Sequence, residues 1–376
     1  MAENEQPTPT GSPIAPDARP EELPPVEPPS AGFIVQLFFV PALIVAAVIG
    51  VWALFGKMAD SETDWTQLVA ELGSGNEHRR WRAANGLAQV LNNQQIAAVS
   101  DGEVLAQKPE VAQALCDLLE ETLQSPSTLP EDIEHRKFLA RTLGTLQCNE
   151  IVLPTLEKTL TADRDPDVRK SGLMSLNYLA ERAFQEQAKA AGVKEQTVAG
   201  NNDVVINLEQ PFDAPTLDSE PIFAQLKEAM RDEDANIRQL AAFAFGRLSG
   251  PDSMRMLKLM LLDGDSFTRA NAAVGLARNG DAGGNDALIE LVEEFIDEVT
   301  AEDLQGLAGA ELKKEMSNRT LERQNVLRNC FRAISGVYAG MTDEQKAALA
   351  PMVEQAAGGS DTKVAIEAAS LQKAMQ

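Results

Sequence analysis

The pattern of apolar and polar residues divides the chain into three parts. Residues 33–55, FIVQLFFVPALIVAAVIGVWALF, contain no charged side chain. Beyond this run, apolar residues recur at helical spacing as far as the C-terminus, with polar residues between them. Before it, residues 1–31 contain nine prolines, six acidic residues and no aromatic residue. The pattern predicts a tail without a core at 1–31, a long apolar helix at 32–56 and an all-helical body at 57–376.

The tail and the apolar run together predict a membrane anchor. A Pro-rich acidic segment cannot bury enough apolar surface to offset the entropy of ordering, so we expect the tail to be disordered. At about 1.5 Å per residue the run is long enough to cross a hydrocarbon core of about 30 Å. A cleaved signal peptide fits less well, because the run is long and its N-terminal flank is acidic. We expect a single-pass membrane protein, and Lys57 and later arginines favour a cytoplasmic body.

Small residues lie along one face of the predicted membrane helix. Ala42, Ala46 and Gly50 follow one another at intervals of four residues. Such spacing lets two transmembrane helices approach closely, which would allow a homodimer through this face. Small residues also occur in membrane helices without any packing role, so both interpretations stay open.

A repeated pattern organises the body. An Asp or Asn is followed four residues later by Arg, then by small or apolar residues three, four and seven positions after the Arg. The leading pairs of the five clear copies are Asn76 and Arg80, Asp132 and Arg136, Asp165 and Arg169, Asp234 and Arg238, and Asp265 and Arg269. The Arg and the apolar positions share one helix face, and the leading residue is placed to cap the helix.

An apolar periodic segment precedes each copy, so each unit is predicted to be a pair of helices joined by a polar turn. The predicted pairs cover 62–91, 109–147, 151–182, 220–249, 251–279, 284–339 and 342–375. Longer intervals between copies indicate insertions at 92–108, 183–219 and about 300–317. Because insertions in repeat proteins often border the binding face, 183–219 is a candidate for a partner-specific element, with an idle surface loop as the alternative.

On these residues the body resembles the HEAT-repeat family of α-solenoids, including the related repeats of phycobilisome lyases. The resemblance implies an all-α, HEAT-like solenoid of about seven helical hairpins. It also implies that the Asp and Arg of successive copies link adjacent repeats in a ladder. HEAT repeats specify an architecture well and a biological role poorly.

Composition and motifs argue against several kinds of chemistry. The chain has 33 basic and 57 acidic residues, a formal net charge of −24, which is unfavourable for binding nucleic acid. Only two histidines and three separated cysteines are present, and no phosphate-binding or hydrolase motif occurs. Asp163, Asp165 and Asp167 begin like a calcium loop, but Val168 and Met174 occupy its glycine and glutamate positions. We therefore predict no catalytic residue, cofactor or metal site.

The leading hypothesis is a non-catalytic, membrane-anchored HEAT-repeat scaffold that binds protein partners on its solenoid surface. The acidity of the body favours partners with basic patches. One alternative is a ligand-handling or lyase-like HEAT protein of the bilin-lyase type. Another is a structural envelope protein that acts by self-association.

Overall fold

The computed structural model describes residues 31–59, 65–96, 104–124, 126–163, 165–194, 196–197 and 204–376. The chain divides into two compact units, residues 1–63 and residues 64–376. The described part of the first unit is helix α1 (Ala31–Ala59), which contains Pro41. The predicted disorder of the acidic tail falls on residues 1–30, which lie outside the described residues.

Helix α1 forms where the apolar run predicts a helix, but the predicted membrane crossing is not supported. No helix of sufficient length and apolar character to cross a bilayer is found among the residues described. The predicted single-pass membrane localisation, with its cytoplasmic body, is therefore wrong on this finding.

The second unit is built from helices. They are α2 (Trp65–Leu72), α3 (Glu77–Ile96), α4 (Pro109–Gln124), α5 (Pro130–Leu143), α6 (Asn149–Ala162), α7 (Pro166–Ala190), α8 (Glu220–Ala229), α9 (Ala235–Leu248), α10 (Gly250–Met260), α11 (Ser266–Arg278), α12 (Asn285–Phe295), α13 (Gly309–Val337), α14 (Asp343–Ala357) and α15 (Thr362–Ala374). Two short strands, β1 (Gln196–Thr197) and β2 (Val204–Val205), pair antiparallel. Within the described ranges the unit is otherwise helical, which confirms the predicted all-α class.

The helices of the second unit pack in two layers. Each even-numbered helix from α2 to α14 forms a hairpin with the odd-numbered helix that follows it, which gives seven hairpins. Successive odd-numbered helices from α3 to α15 also contact one another, and so form one layer of a solenoid. The core between the layers is rich in leucine and alanine. Small core residues let helices approach closely, as the apolar spacing of the repeats predicts.

Two glycines make a close backbone approach in the odd-numbered layer. A Cβ atom built on Gly246 of α9 would lie 2.9 Å from the Cα atom of Gly275 of α11. This distance is too short for a real Cβ contact, so no side chain can be accommodated without a shift of the helices. The two glycines therefore set how tightly α9 and α11 pack.

Part of the predicted insertion at 183–219 packs along the ends of three hairpins. Residues 183–190 extend helix α7, and residues 204–217 are here named the crossing segment. Its Leu208 amide donates to the carbonyl of Arg278, and its Thr216 amide donates to the carbonyl of Leu248. A Cβ atom on Gly336 of α13 would lie 2.8 Å from the Asn207 side chain. The crossing segment thus contacts the C-terminal ends of α9, α11 and α13.

Candidate functional site

The repeat arginines join neighbouring hairpins through carboxylates. Arg80 reaches Asp132 at 3.1 Å, which brings together two residues of the predicted ladder. Arg136 instead reaches Asp163 at 2.6 Å. Asp163 lies two positions before the predicted partner, Asp165. The same shift of two positions occurs in the next copies, where Arg169 reaches Asp232 at 3.2 Å and Arg238 reaches Asp263 at 2.8 Å.

The shift follows from the geometry of the turn between the two helices of a hairpin. The Oδ1 atom of Asp163 accepts the backbone N–H of Asp165 at 2.9 Å, while its Oδ2 atom accepts from Arg136. Asp165 then caps α7 by accepting the N–H groups of Asp167 and Val168. The first Asp of an Asp-x-Asp turn therefore bridges repeats and the second begins the helix. These contacts occupy the residues that resemble the opening of a calcium loop.

The other predicted ladder residues make contacts of their own. Asn76 accepts the backbone N–H of Arg79 at the start of α3. Asp234 accepts from Lys170, and Asp265 accepts from Gln239. Arg269 reaches Glu294 at 3.1 Å. The arginine side chains also stabilise the turn that precedes their own helix. For example, Nη1 of Arg238 donates to the carbonyl of Asp232 at 2.9 Å.

The small-residue face predicted for homodimerisation lies in α1. Ala42, Ala46 and Gly50 are exposed there, and a Cβ atom on Gly50 would meet no atom within 4 Å. Nothing in the described part of α1 supports a homodimer through this face.

The odd-numbered helices form a groove that the sequence analysis did not identify. One cavity of about 420 Å³ lies between α3 and α5, and a second of about 670 Å³ lies against α5, α7, α9 and α11. Both cavities are bordered by Lys137 and Arg141, so they adjoin each other at α5. We name this surface the odd-helix groove.

Aromatic side chains extend along the odd-helix groove. Trp81 of α3 is 58% exposed and Tyr178 of α7 is 61% exposed. Phe138 of α5 and Phe243 of α9 are half-buried in the same surface. Large exposed aromatic side chains along one groove provide apolar area that a partner could bury.

Amide side chains form the floor of the larger cavity. Asn177 is only 7% exposed, and its Nδ2 atom donates to the carbonyl of Leu240 at 3.2 Å. Its Oδ1 atom has no hydrogen-bond partner among the described residues. Asn271 similarly donates to the carbonyl of Gln239 at 3.0 Å. These bonds fix the amides against neighbouring helices, and the orphan oxygen of Asn177 remains an unused acceptor.

A cluster of charges supports the wall of the larger cavity. Glu181 of α7 pairs with Arg247 of α9 and with Arg278 of α11, the latter at 2.8 Å. Arg247 also lies over the Phe243 ring at 4.3 Å, and Arg278 lies over the Phe184 ring at 4.8 Å. Burial lowers the pKa of Arg247 to about 9, so the arginine stays mostly cationic at neutral pH. Burial alone would raise the pKa of Glu181, but the two arginines outweigh it and lower that pKa.

Two cysteines and one histidine are held in unreactive forms by burial. Burial raises the pKa of the Cys116 thiol to about 11 and that of Cys330 to about 12, which keeps both thiols protonated. Burial, and to a smaller extent the positive charge of Arg80, lowers the pKa of His135 to about 4. His135 borders the smaller cavity as a neutral ring.

A sequence signal for the groove exists in the spacing from the repeat arginines. Positions one, five and nine after Arg169 are Lys170, Met174 and Tyr178, and all three line the larger cavity. Positions one and five after Arg136 are Lys137 and Arg141, and those after Arg238 are Gln239 and Phe243. Position one after Arg80 is Trp81. Steps of four residues follow one stripe of a helix, next to the stripe that forms the core.

Comparisons with known proteins agree with the helical repeat architecture. Residues 223–308 match the family of HEAT repeats, which confirms the predicted resemblance for this part of the chain. None of the curated proteins matches the sequence.

Several solved structures resemble the chain distantly. An engineered protein is 19% identical, with 69% of this chain and 96% of that chain covered and a TM-score of 0.33. The complex of CpcE and CpcF of phycocyanin lyase from Nostoc sp. PCC7120 is 16% identical, with 78% and 95% covered and a TM-score of 0.32. Human deoxyhypusine hydroxylase is 16% identical, with 85% and 98% covered and a TM-score of 0.27. Similarities at this level do not decide a function.

Proposed function

We propose that the protein is a non-catalytic scaffold whose odd-helix groove binds an extended segment of a partner protein. The observation that carries the proposal is the combination of two exposed aromatic side chains with an amide-lined cavity of about 670 Å³. Tyr178 borders this cavity, and Trp81 borders the adjoining smaller one. A peptide bound along the groove would bury the aromatic rings and present backbone N–H groups to the amides. Aromatic anchors with a few fixed polar groups are typical of sites that bind peptides.

The layered fold supports the same role. Each hairpin contacts mainly the hairpins beside it, so the odd-numbered helices form a continuous surface suited to an extended ligand. The amides on that surface are already fixed by contacts between helices, as with Asn177 and Leu240. A preformed surface loses little entropy when a ligand binds. The protonated thiols of Cys116 and Cys330 favour a binding role over nucleophilic catalysis.

The test is a selection of phage-displayed random 12-residue peptides on the 376-residue chain. Enriched peptides are resynthesised with a fluorescent label, and their affinities are measured by anisotropy. We expect the Trp81→Ala, Tyr178→Ala double variant to bind them at least tenfold more weakly than the wild type. Circular dichroism of each variant checks that the helical fold is retained.

Leu262→Ala is the matched control, because Leu262 is 84% exposed and lies outside the groove after α10. It removes a comparable apolar side chain and should leave the affinity unchanged. The proposal fails if no peptide is enriched, or if the enriched peptides bind the wild type and the double variant equally.

A further inference from the structure

The larger cavity of the odd-helix groove has an unpaired cation. Lys137 is bound by Glu134 at 2.6 Å. Lys170 is bound by Asp234 at 2.7 Å and by Asp167 at 3.3 Å. Arg141 lies between the two cavities, is exposed, and forms no ion pair with any residue that the structure describes. Its guanidinium is therefore available for a carboxylate from a partner.

The opposite side of the same cavity also has surplus positive charge. Glu181 borders the cavity and is shared between two buried arginines, so this cluster of three side chains keeps one net positive charge. Lys170 with its two carboxylates contributes one net negative charge, and Arg141 contributes one positive charge. The groups around the cavity therefore sum to one net positive charge, opposite in sign to the net charge of −24 of the whole chain. At physiological ionic strength fields decay over about 8 Å, so the charges around the cavity decide what binds there.

A second, independent observation indicates a backbone ligand. The Oδ1 atom of Asn177 has no donor within the described ranges, although this side chain is more than nine-tenths buried at the cavity floor. A buried acceptor without a donor costs free energy, which a peptide N–H could recover after a small movement of the side chain. Arg141 is on α5 and Asn177 is on α7, so the two features lie on adjacent helices.

From these observations we infer that the groove selects an extended peptide with an acidic residue, whose carboxylate pairs with Arg141 while a neighbouring backbone N–H donates to Asn177. The inference rests on the proposed function and adds the chemistry of the partner. It differs from the partner with basic patches that the overall acidity predicts. Arg141 presents a planar pair of N–H donors, which matches a carboxylate in bidentate geometry.

The smaller cavity limits the position of the acidic residue. Its border includes Glu77 and Glu131, and neither has an ion-pair partner in the described part of the chain. A carboxylate bound beside Trp81 would face these two negative charges. The acidic residue of the peptide therefore lies on the α7 side of Arg141, over the larger cavity.

The test uses the peptides enriched in the selection, each resynthesised with its acidic residues changed one at a time to the corresponding amide. We expect one such change to weaken binding about tenfold in the wild type and to have little further effect in Arg141→Gln. Arg141→Glu should reverse the preference, so that a peptide with Lys at that position binds more tightly than the parent. Arg255→Gln is the control, because Arg255 is an exposed arginine of α10 and should leave affinities unchanged.

The outcomes separate the inference from the proposed function. The inference is overturned if the affinity of the peptides depends on Tyr178 but the peptides carry no acidic residue. It is also overturned if their affinity is unchanged in the Arg141 variants. Both results leave the proposed function standing. The absence of any Tyr178-dependent peptide overturns both. Self-association that is abolished by Tyr178→Ala in sedimentation measurements would place a second copy of the chain in the groove and also overturn the inference.

Discussion

Arg136 and Asp163 form a buried ion pair between two hairpins, with 2.6 Å between Nε and Oδ2 and both side chains at most 3% exposed. Nη1 of Arg136 also donates to the carbonyl of Ser127 at 2.8 Å. The guanidinium thus joins the turn of its own hairpin to the turn of the next. Of the repeat arginines described above, Arg136 is the one whose pair is most fully removed from water.

We expect Arg136→Ala to destabilise the fold more than Arg238→Ala, and both more than Arg255→Ala. Removing Arg136 leaves a buried carboxylate without its partner, which costs about 3–5 kcal/mol. The Arg238 pair is partly exposed, so its loss should cost about 1–3 kcal/mol. Arg255 is largely exposed, so its removal should cost less than about 1 kcal/mol. Urea unfolding followed by circular dichroism measures the order, and equal midpoints for the three variants would contradict it.

The contact between Gly246 and Gly275 predicts that neither position tolerates a methyl group. Gly246→Ala should force α9 and α11 apart and lower the free energy of unfolding by about 1–3 kcal/mol. Gly264→Ala is the control, because a Cβ atom there would meet no atom within 4 Å. Thermal unfolding measures both variants. A melting temperature for Gly246→Ala equal to or above that of Gly264→Ala would show that the two helices do not meet as described.

The Arg238–Asp263 pair predicts a specific loss of stability in acid. The hydrogen bond from Arg238 holds the pKa of Asp263 below its ordinary value, so folding favours the ionised form. The stabilisation is therefore complete above about pH 4, the ordinary range of an aspartate, and is lost as the pH falls through the lowered pKa. Asp263→Asn should be less stable than the wild type at pH 7, and the difference should shrink towards pH 2.

An exposed carboxylate gives the comparison for this pH dependence. Asp252→Asn on α10 removes an aspartate that is 63% exposed, and should follow the wild-type curve closely between pH 7 and pH 2. Urea midpoints at intervals of one pH unit measure both variants. A constant difference between Asp263→Asn and the wild type across this range would refute the assignment.

The cluster around Glu181 predicts a large loss of stability when the charge of Glu181 is removed. Glu181→Gln leaves Arg247 and Arg278 buried beside each other without a compensating charge, at a cost of about 3–5 kcal/mol. Glu294→Gln, which breaks the more exposed pair with Arg269, should cost about 1 kcal/mol or less. Chemical unfolding compares the two. Similar losses would mean that the arginines do not depend on Glu181.

The sequence predicts the order of the hairpins well because apolar spacing, helix caps and repeat length all point to the same pairs. The expected pair at 220–249, for example, corresponds to α8 and α9, which together extend from Glu220 to Leu248. The ladder partners are less predictable. The repeat pattern marks Asp234, which begins the helix, whereas the guanidinium of Arg169 meets Asp232 in the turn before it. Where Pro130 occupies that earlier position, Arg80 pairs with Asp132 itself.

The sequence marks the groove only by position relative to the repeat arginines, and there is a physical reason for so weak a signal. Its residues lie on the exposed side of each helix, where polar and aromatic types alternate without the apolar periodicity that marks a core. Tyr178 is recognised as part of a groove only when α5, α7 and α9 are placed side by side. The orphan oxygen of Asn177 and the unpaired Arg141 are likewise properties of packing and cannot be read from residue type.

The crossing segment has a consequence for how the array responds to tension. Hairpins that contact only their neighbours can separate from one another under load. The crossing segment opposes this separation, because it hydrogen-bonds to the ends of α9 and α11 and contacts α13. A load applied along the array would therefore separate the hairpins that precede α7 in sequence sooner than the later hairpins. The part of the array that contains α9, α11 and α13 would be the more rigid part, and the hairpins that precede α7 would bend relative to it.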